Sequence, residues 1–184
     1  MKKNLTQKLT LMGICVALNI LGAFIALILR IPILLDSIGT IMVAAFLGPT
    51  YAVTTGLVSS IISGVTYDIY SLYFAPVQII VGVIAGILYK KDILKGKKIF
   101  ISVILLSVFS ALAGAIIAAF VFDGVTSSAS SYIVQMLSAI GISKVVSIFI
   151  IQFLMDYADR LISVVIVNSV IGKLPKVIIE RLRG

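Results

Sequence analysis

Apolar residues fall in long blocks separated by short polar or basic stretches, and Leu9–Leu29 and Ile99–Val121 each run without a single charged side chain. A hydrocarbon core about 30 Å thick takes about 20 helical residues to cross, and lipid offers no partner for open backbone N–H and C=O groups. The pattern therefore predicts crossings at Leu9–Leu29, Pro32–Leu47, Pro49–Ser63, Leu72–Tyr89 and Ile99–Val121, with a last helix ending near Leu174. Gly48-Pro49 separates the second crossing from the third, because proline cannot donate a backbone bond and disfavours helix in the residue before it. Ser130–Gly141 reads as an amphipathic helix or a partly inserted loop, and Val145–Leu154 is apolar enough to begin the final helix.

Charge orders these blocks. Basic residues favour the cytoplasmic side, so Lys90, Lys91, Lys95, Lys97 and Lys98 are expected to share a side with Lys2, Lys3 and Lys8. An even number of crossings must then precede Lys90. Lys173, Lys176, Arg181 and Arg183 bring the last helix back to the same side, which leaves twelve Lys/Arg inside and Arg30, Lys144 and Arg160 outside. Five acids (Asp36, Asp68, Asp123, Asp156, Asp159) fall outside. The expected fold is an all-α integral membrane protein of six transmembrane helices, a single membrane domain over residues 1–184 with both termini cytoplasmic. The apolar run after Lys8 is longer than a typical signal core and reads as a retained helix.

Composition agrees: 61% of the 184 residues are hydrophobic and 12% charged, against about half and about a quarter in soluble domains. The net charge of +8 lies in blocks between apolar runs, without interleaved aromatics, so nucleic acid is not an expected partner and membrane lipid is. The absence of histidine removes His-based catalysis and His-ligated metals. The single cysteine, Cys15, allows no intrachain disulfide or thiolate cluster. The G-x-x-x-x-G-K-[ST] phosphate cradle is missing, so ATP-driven work would need another chain. No metal, cofactor or catalytic residue is implied.

The remaining polar residues mark candidate sites. Gly13-x-x-x-Ala17 on the first helix places small residues one turn apart, which lets another helix approach closely. Arg30, Asp36 and Ser37 flank the loop Ile31–Leu35. Tyr67, Asp68, Tyr70, Tyr73 and Phe74 gather at one mouth, and Gln78 lies about one turn deeper, where an amide in an apolar helix needs a polar partner. Asp156, Asp159 and Arg160, between Gln152 and Asn168, form the strongest polar signal. Ionisable groups in such a setting face a cavity or pair with one another. The i,i+4 spacing suits an Asp156–Arg160 salt bridge, which leaves Asp159 as the preferred ligand contact.

Leu35-Asp36-Ser37-Ile38-Gly39-Thr40, Leu47-Gly48-Pro49, Asp156…Asp159-Arg160-Leu161-Ile162-Ser163-Val164 and Lys173-Leu174-Pro175 together resemble the substrate-binding S components of energy-coupling factor (ECF) vitamin transporters. The resemblance covers nearly the whole chain and points to the branch linked to pyridoxine or hydroxymethylpyrimidine. It implies capture of a small heterocyclic vitamin from outside, with docking through the first helix onto a membrane coupling (T) subunit that works with two ATPase subunits in the bacterial cell membrane. By the same resemblance Gly13 and Ala17 match the docking motif, usually written with two alanines. The substrate-binding residues expected are Asp36, Tyr73, Phe74, Gln78, Asp159 and Arg160. The aromatics, with no dense basic cluster, suit a small, mostly neutral ring compound better than a phosphorylated one. The competing readings are a self-sufficient secondary transporter or channel with Asp159 carrying an ion, an S component for thiamine, riboflavin, pantothenate or folate, an intramembrane enzyme using Asp156 and Asp159, and an assembly subunit.

Overall fold

The computed structural model describes residues 2–175, 177 and 179. Lys176, Arg181 and Arg183, expected on the inner side, lie outside the described residues. The elements run α1 (Lys2–Ile28), α2 (Ile38–Leu47), α3 (Pro49–Thr66), α4 (Ile69–Tyr73), α5 (Ala75–Lys90), α6 (Ile99–Phe120), α7 (Ser130–Ala139) and α8 (Lys144–Lys173), with a 3₁₀ turn at Gly96–Lys98 before α6. Among the described residues every regular element is helical.

Two helices, over Leu5–Ile28 and Ile99–Phe120, are long and apolar enough to cross a membrane, with mean hydropathies of 2.5 and 2.6. Their outer faces leave large apolar side chains uncovered, among them Ile14, Leu21 and Ile28 on α1 and Ile101, Ile116 and Phe120 on α6. Apolar surface this extensive calls for an apolar solvent.

α2 differs from the expected Pro32–Leu47 crossing. It starts at Ile38, because Leu35 adopts a left-handed φ of 53° and Pro32 biases the residue before it away from helix. Its 10 residues rise only about 15 Å. Eight of them are buried, so α2 is a central post wrapped by α1, α3, α5 and α8. The segment 29–37 that leads into it is irregular.

The expected Leu72–Tyr89 helix is also broken. α4 ends at Tyr73 and α5 begins at Ala75, with Pro76 in the first turn of α5, where its missing N–H leaves no helical bond unmade. α3 and α5 cross closely, and a Cβ added at Gly86 would lie 2.6 Å from the Pro49 Cα. Replacing Gly86 by Leu is expected to force the two helices apart and cost about 1–3 kcal/mol, the usual size of an overpacking strain. Thermal unfolding in detergent would read this as a lowered midpoint; an unchanged midpoint would mean the crossing yields without strain.

α8 runs unbroken for 30 residues, since no proline or glycine interrupts it before Gly172. Asp156, Asp159 and Arg160 therefore lie in its middle, not at its opening. α7 matches the expected amphipathic helix and packs on α8. The main core joins α2, α5, α6 and α8 around Ile41, Val81, Leu106 and Val164, all fully buried.

Candidate functional site

At the end of the bundle carrying segments 29–37, 67–74 and 121–129, the helices enclose a cavity of about 70 Å³. A single water needs about 10–15 Å³, so there is room for a small molecule. α1, α3, α5 and α8 wall it, with Asp36, Tyr70 and Phe74 also in its lining.

Helical geometry explains the α8 wall. Residues three and four apart share a face, so Gln152, Asp156, Asp159 and Arg160 all reach the cavity. The expected Asp156–Arg160 bridge does not form. Arg160 Nη1 instead pairs with Asp159 Oδ2, donates to Ser37 Oγ at 2.7 Å and lies 3.5 Å from Asp36 Oδ1. Ser37 Oγ donates in turn to Asp159 Oδ2 at 3.3 Å. Asp156 turns towards α6, accepting from Ser110 Oγ at 2.7 Å and from Gln152 Nε2 at 3.0 Å. The reason is tertiary. α2 brings Asp36 and Ser37 to the guanidinium, while α6 offers Asp156 a hydroxyl.

Arg160 and Asp159 are 2% and 4% exposed, yet Asp159 Oδ1 and Arg160 Nε have no hydrogen-bond partner. Leaving a buried polar atom unpaired costs about 1–3 kcal/mol. One acceptor and one donor on neighbouring side chains of the cavity wall thus lack a partner within the described residues.

A second polar network on the same cavity is nearly closed. Asn19 Nδ2 donates to Thr40 Oγ1 at 2.8 Å and Ser59 Oγ at 3.1 Å, while its Oδ1 accepts from the Gly39 and Thr40 amides. All four bonding positions of the amide are used, so Asn19 ties α1, α2 and α3 together. Gln78 Oε1 accepts from Thr40 Oγ1 at 3.1 Å, and Nε2 donates to the Asp36 carbonyl at 3.1 Å. That leaves Gln78 one N–H and one lone pair to offer.

Of the expected site residues, Asp36, Phe74, Gln78, Asp159 and Arg160 line the cavity and Tyr73 does not. Tyr73 is half exposed and meets Phe122 edge-on, with centroids 5.1 Å apart. Tyr70, on the same short helix α4, lines the cavity instead. Arg30 is exposed and is not among the lining residues. Asn168 belongs to the opposite end, where it accepts from Tyr89 and donates to the Leu94 carbonyl. Sequence reasoning passed over Asn19, although a lone amide in the apolar run of α1 carries the same signal that singled out Gln78. Among the described residues no three His, Cys, Asp or Glu side chains gather to hold a metal.

The family model described as ECF transporter, substrate-specific component, matches residues 7–180. The chain belongs to this family. It is therefore a membrane protein and the substrate-specific component of a transporter, in a family that is not one of enzymes. No curated protein and no solved structure matches it. The polar-lined cavity at one end of the bundle is the candidate substrate site.

Gly13 and Ala17 lie apart from the cavity on an exposed face of α1. A Cβ added at Gly13 would meet nothing within 4 Å. The pair is not an internal packing element of this chain.

Proposed function

We propose that this substrate-specific component captures a small heterocyclic vitamin or precursor, pyridoxine or hydroxymethylpyrimidine, from outside the bacterial cell. It delivers that compound to a membrane T subunit driven by two ATPase subunits. The observation that carries the reading is the buried cavity with one unpartnered acceptor, Asp159 Oδ1, beside one unpartnered donor, Arg160 Nε. A ring hydroxyl or ring nitrogen can satisfy such a pair, with Gln78 as a third anchor and Phe74 against the ring, the usual mix of few polar anchors in an apolar pocket.

The proposed topology has six crossings with both termini cytoplasmic. The Lys8 ammonium lies 5.7 Å from the centre of the Tyr51 ring, and Gly48 faces Lys90, so the start of α1, the α2–α3 turn and the end of α5 share one end of the bundle. Basic residues at that end favour the cytoplasm, which turns the cavity mouth outward. The exposed Gly13/Ala17 face then lies nearer the cytoplasmic half, open to a helix of the T subunit.

The isolated chain is expected to bind pyridoxine or hydroxymethylpyrimidine and to hydrolyse no ATP, because it contains no phosphate cradle. Titration calorimetry with each compound and a phosphate-release assay on the purified chain test this. ATPase activity intrinsic to the chain, or no binding of any small heterocycle, would overturn the reading.

A further inference from the structure

The charges in the cavity wall are one-sided. Four carboxylates (Asp36, Asp68, Asp156, Asp159) line it against one guanidinium, Arg160, and among the described residues no lysine or second arginine joins them. Arg160 is already engaged by Asp159, Asp36 and Ser37. Asp156 and Asp68 are held only by neutral donors, Asp156 by Ser110 and Gln152, Asp68 by Ser71 and Ser127.

From this imbalance we infer that the cavity selects a compact nitrogen compound that is cationic or rich in N–H donors, and rejects carboxylated and phosphorylated compounds of the same size. The inference rests on the reading of the cavity as the capture site and narrows its substrate class beyond a neutral ring.

Three further features point the same way. The unpartnered carboxylate oxygen Asp159 Oδ1 can only accept while ionised, so it calls for a donor. The amino end of α2, where an anion would otherwise be favoured, has its Gly39 and Thr40 amides already taken by Asn19 Oδ1. Tyr70 and Phe74 belong to the wall, and aromatic rings there favour a cation over an anion. An anion entering here would meet a guanidinium already paired with Asp159 and Asp36 and a surplus of carboxylates at short range, where a low local dielectric strengthens like-charge repulsion.

The test lets the protein choose its own ligand. The detergent-purified chain, washed free of small molecules, is incubated with a protein-free extract of rich growth medium, and retained compounds are identified by native mass spectrometry. The expected result is retention of an amine-, amidine- or aminoheterocycle-type compound, with carboxylated or phosphorylated compounds of similar mass disfavoured at least tenfold. Retention of an anion would overturn the selectivity while leaving the capture reading in place. Retention of nothing would remove both. As a second readout, Asp159→Asn keeps the side-chain volume but exchanges the carboxylate for an amide, and is expected to reduce retention of the compound at least tenfold with unchanged helical content. Undiminished retention by a folded Asp159→Asn protein would also overturn the inference.

Discussion

Arg160→Ala is expected to lower the stability of the chain by about 3–5 kcal/mol, the range seen when one partner of a buried ion pair is removed and the other is left without compensation. The guanidinium is 2% exposed and joins α8 to the start of α2 through Ser37 and Asp36, as well as neutralising Asp159. Its loss would strand the Asp159 carboxylate, which is almost as deeply buried. Removing that carboxylate as well relieves the penalty, so the double variant Arg160→Ala/Asp159→Ala is expected to be more stable than Arg160→Ala alone. Coupling of this kind is what separates a direct pair from two independent sites. Thermal unfolding of the three proteins in one detergent measures it. A melting point for Arg160→Ala equal to that of the parent would show that the guanidinium does not hold the α2–α8 junction. Asp156→Ala serves as a comparison with a smaller expected effect, since it leaves only the neutral groups of Ser110 and Gln152 to find other partners.

Gly13→Leu combined with Ala17→Leu is expected to abolish vitamin uptake in cells carrying the complete transporter while leaving binding by the isolated chain unchanged. Both positions lie on an exposed face of α1, and the space around Gly13 is open, so leucine is tolerated within the chain itself. What leucine would prevent is the close approach of a second helix, which depends on small residues one turn apart. Uptake of labelled pyridoxine, paired with calorimetry on the purified variant, separates the two effects. Normal uptake by the double variant would remove this face of α1 from the docking surface, and loss of binding together with uptake would point to damage within the chain.

Much of the architecture is legible in the sequence because lipid imposes a simple rule: a charge-free apolar run of sufficient length becomes a helix. α1 and α6 follow it directly. The breaks are harder to read. Gly48-Pro49 is visible as a break in the chain, but the late start of α2 depends on a left-handed Leu35, a conformation that a leucine does not announce. The candidate site is half legible. Gln78, Asp159 and Arg160 stand out as costly polar groups in apolar surroundings, whereas Tyr73 and Tyr70 look equivalent until the placement of α4 shows that Tyr70 lines the cavity.

By itself, then, the sequence determined the helical class, the apolar blocks, the segregation of basic residues and the short inventory of polar groups able to recognise a ligand, because each follows from local composition and the demands of a bilayer on backbone hydrogen bonds. Only the tertiary structure decided the partners of those groups. Asp156 and Arg160 stand in i,i+4 register on one helix, the spacing of a salt bridge, yet Arg160 turns to Asp159, Asp36 and Ser37 while Asp156 turns to Ser110. The physical reason is that a buried charge pairs with whatever packing brings nearest. Here the start of α2, 122 residues away along the chain from Ser37 to Asp159, supplies the contacts that engage the guanidinium beside the cavity.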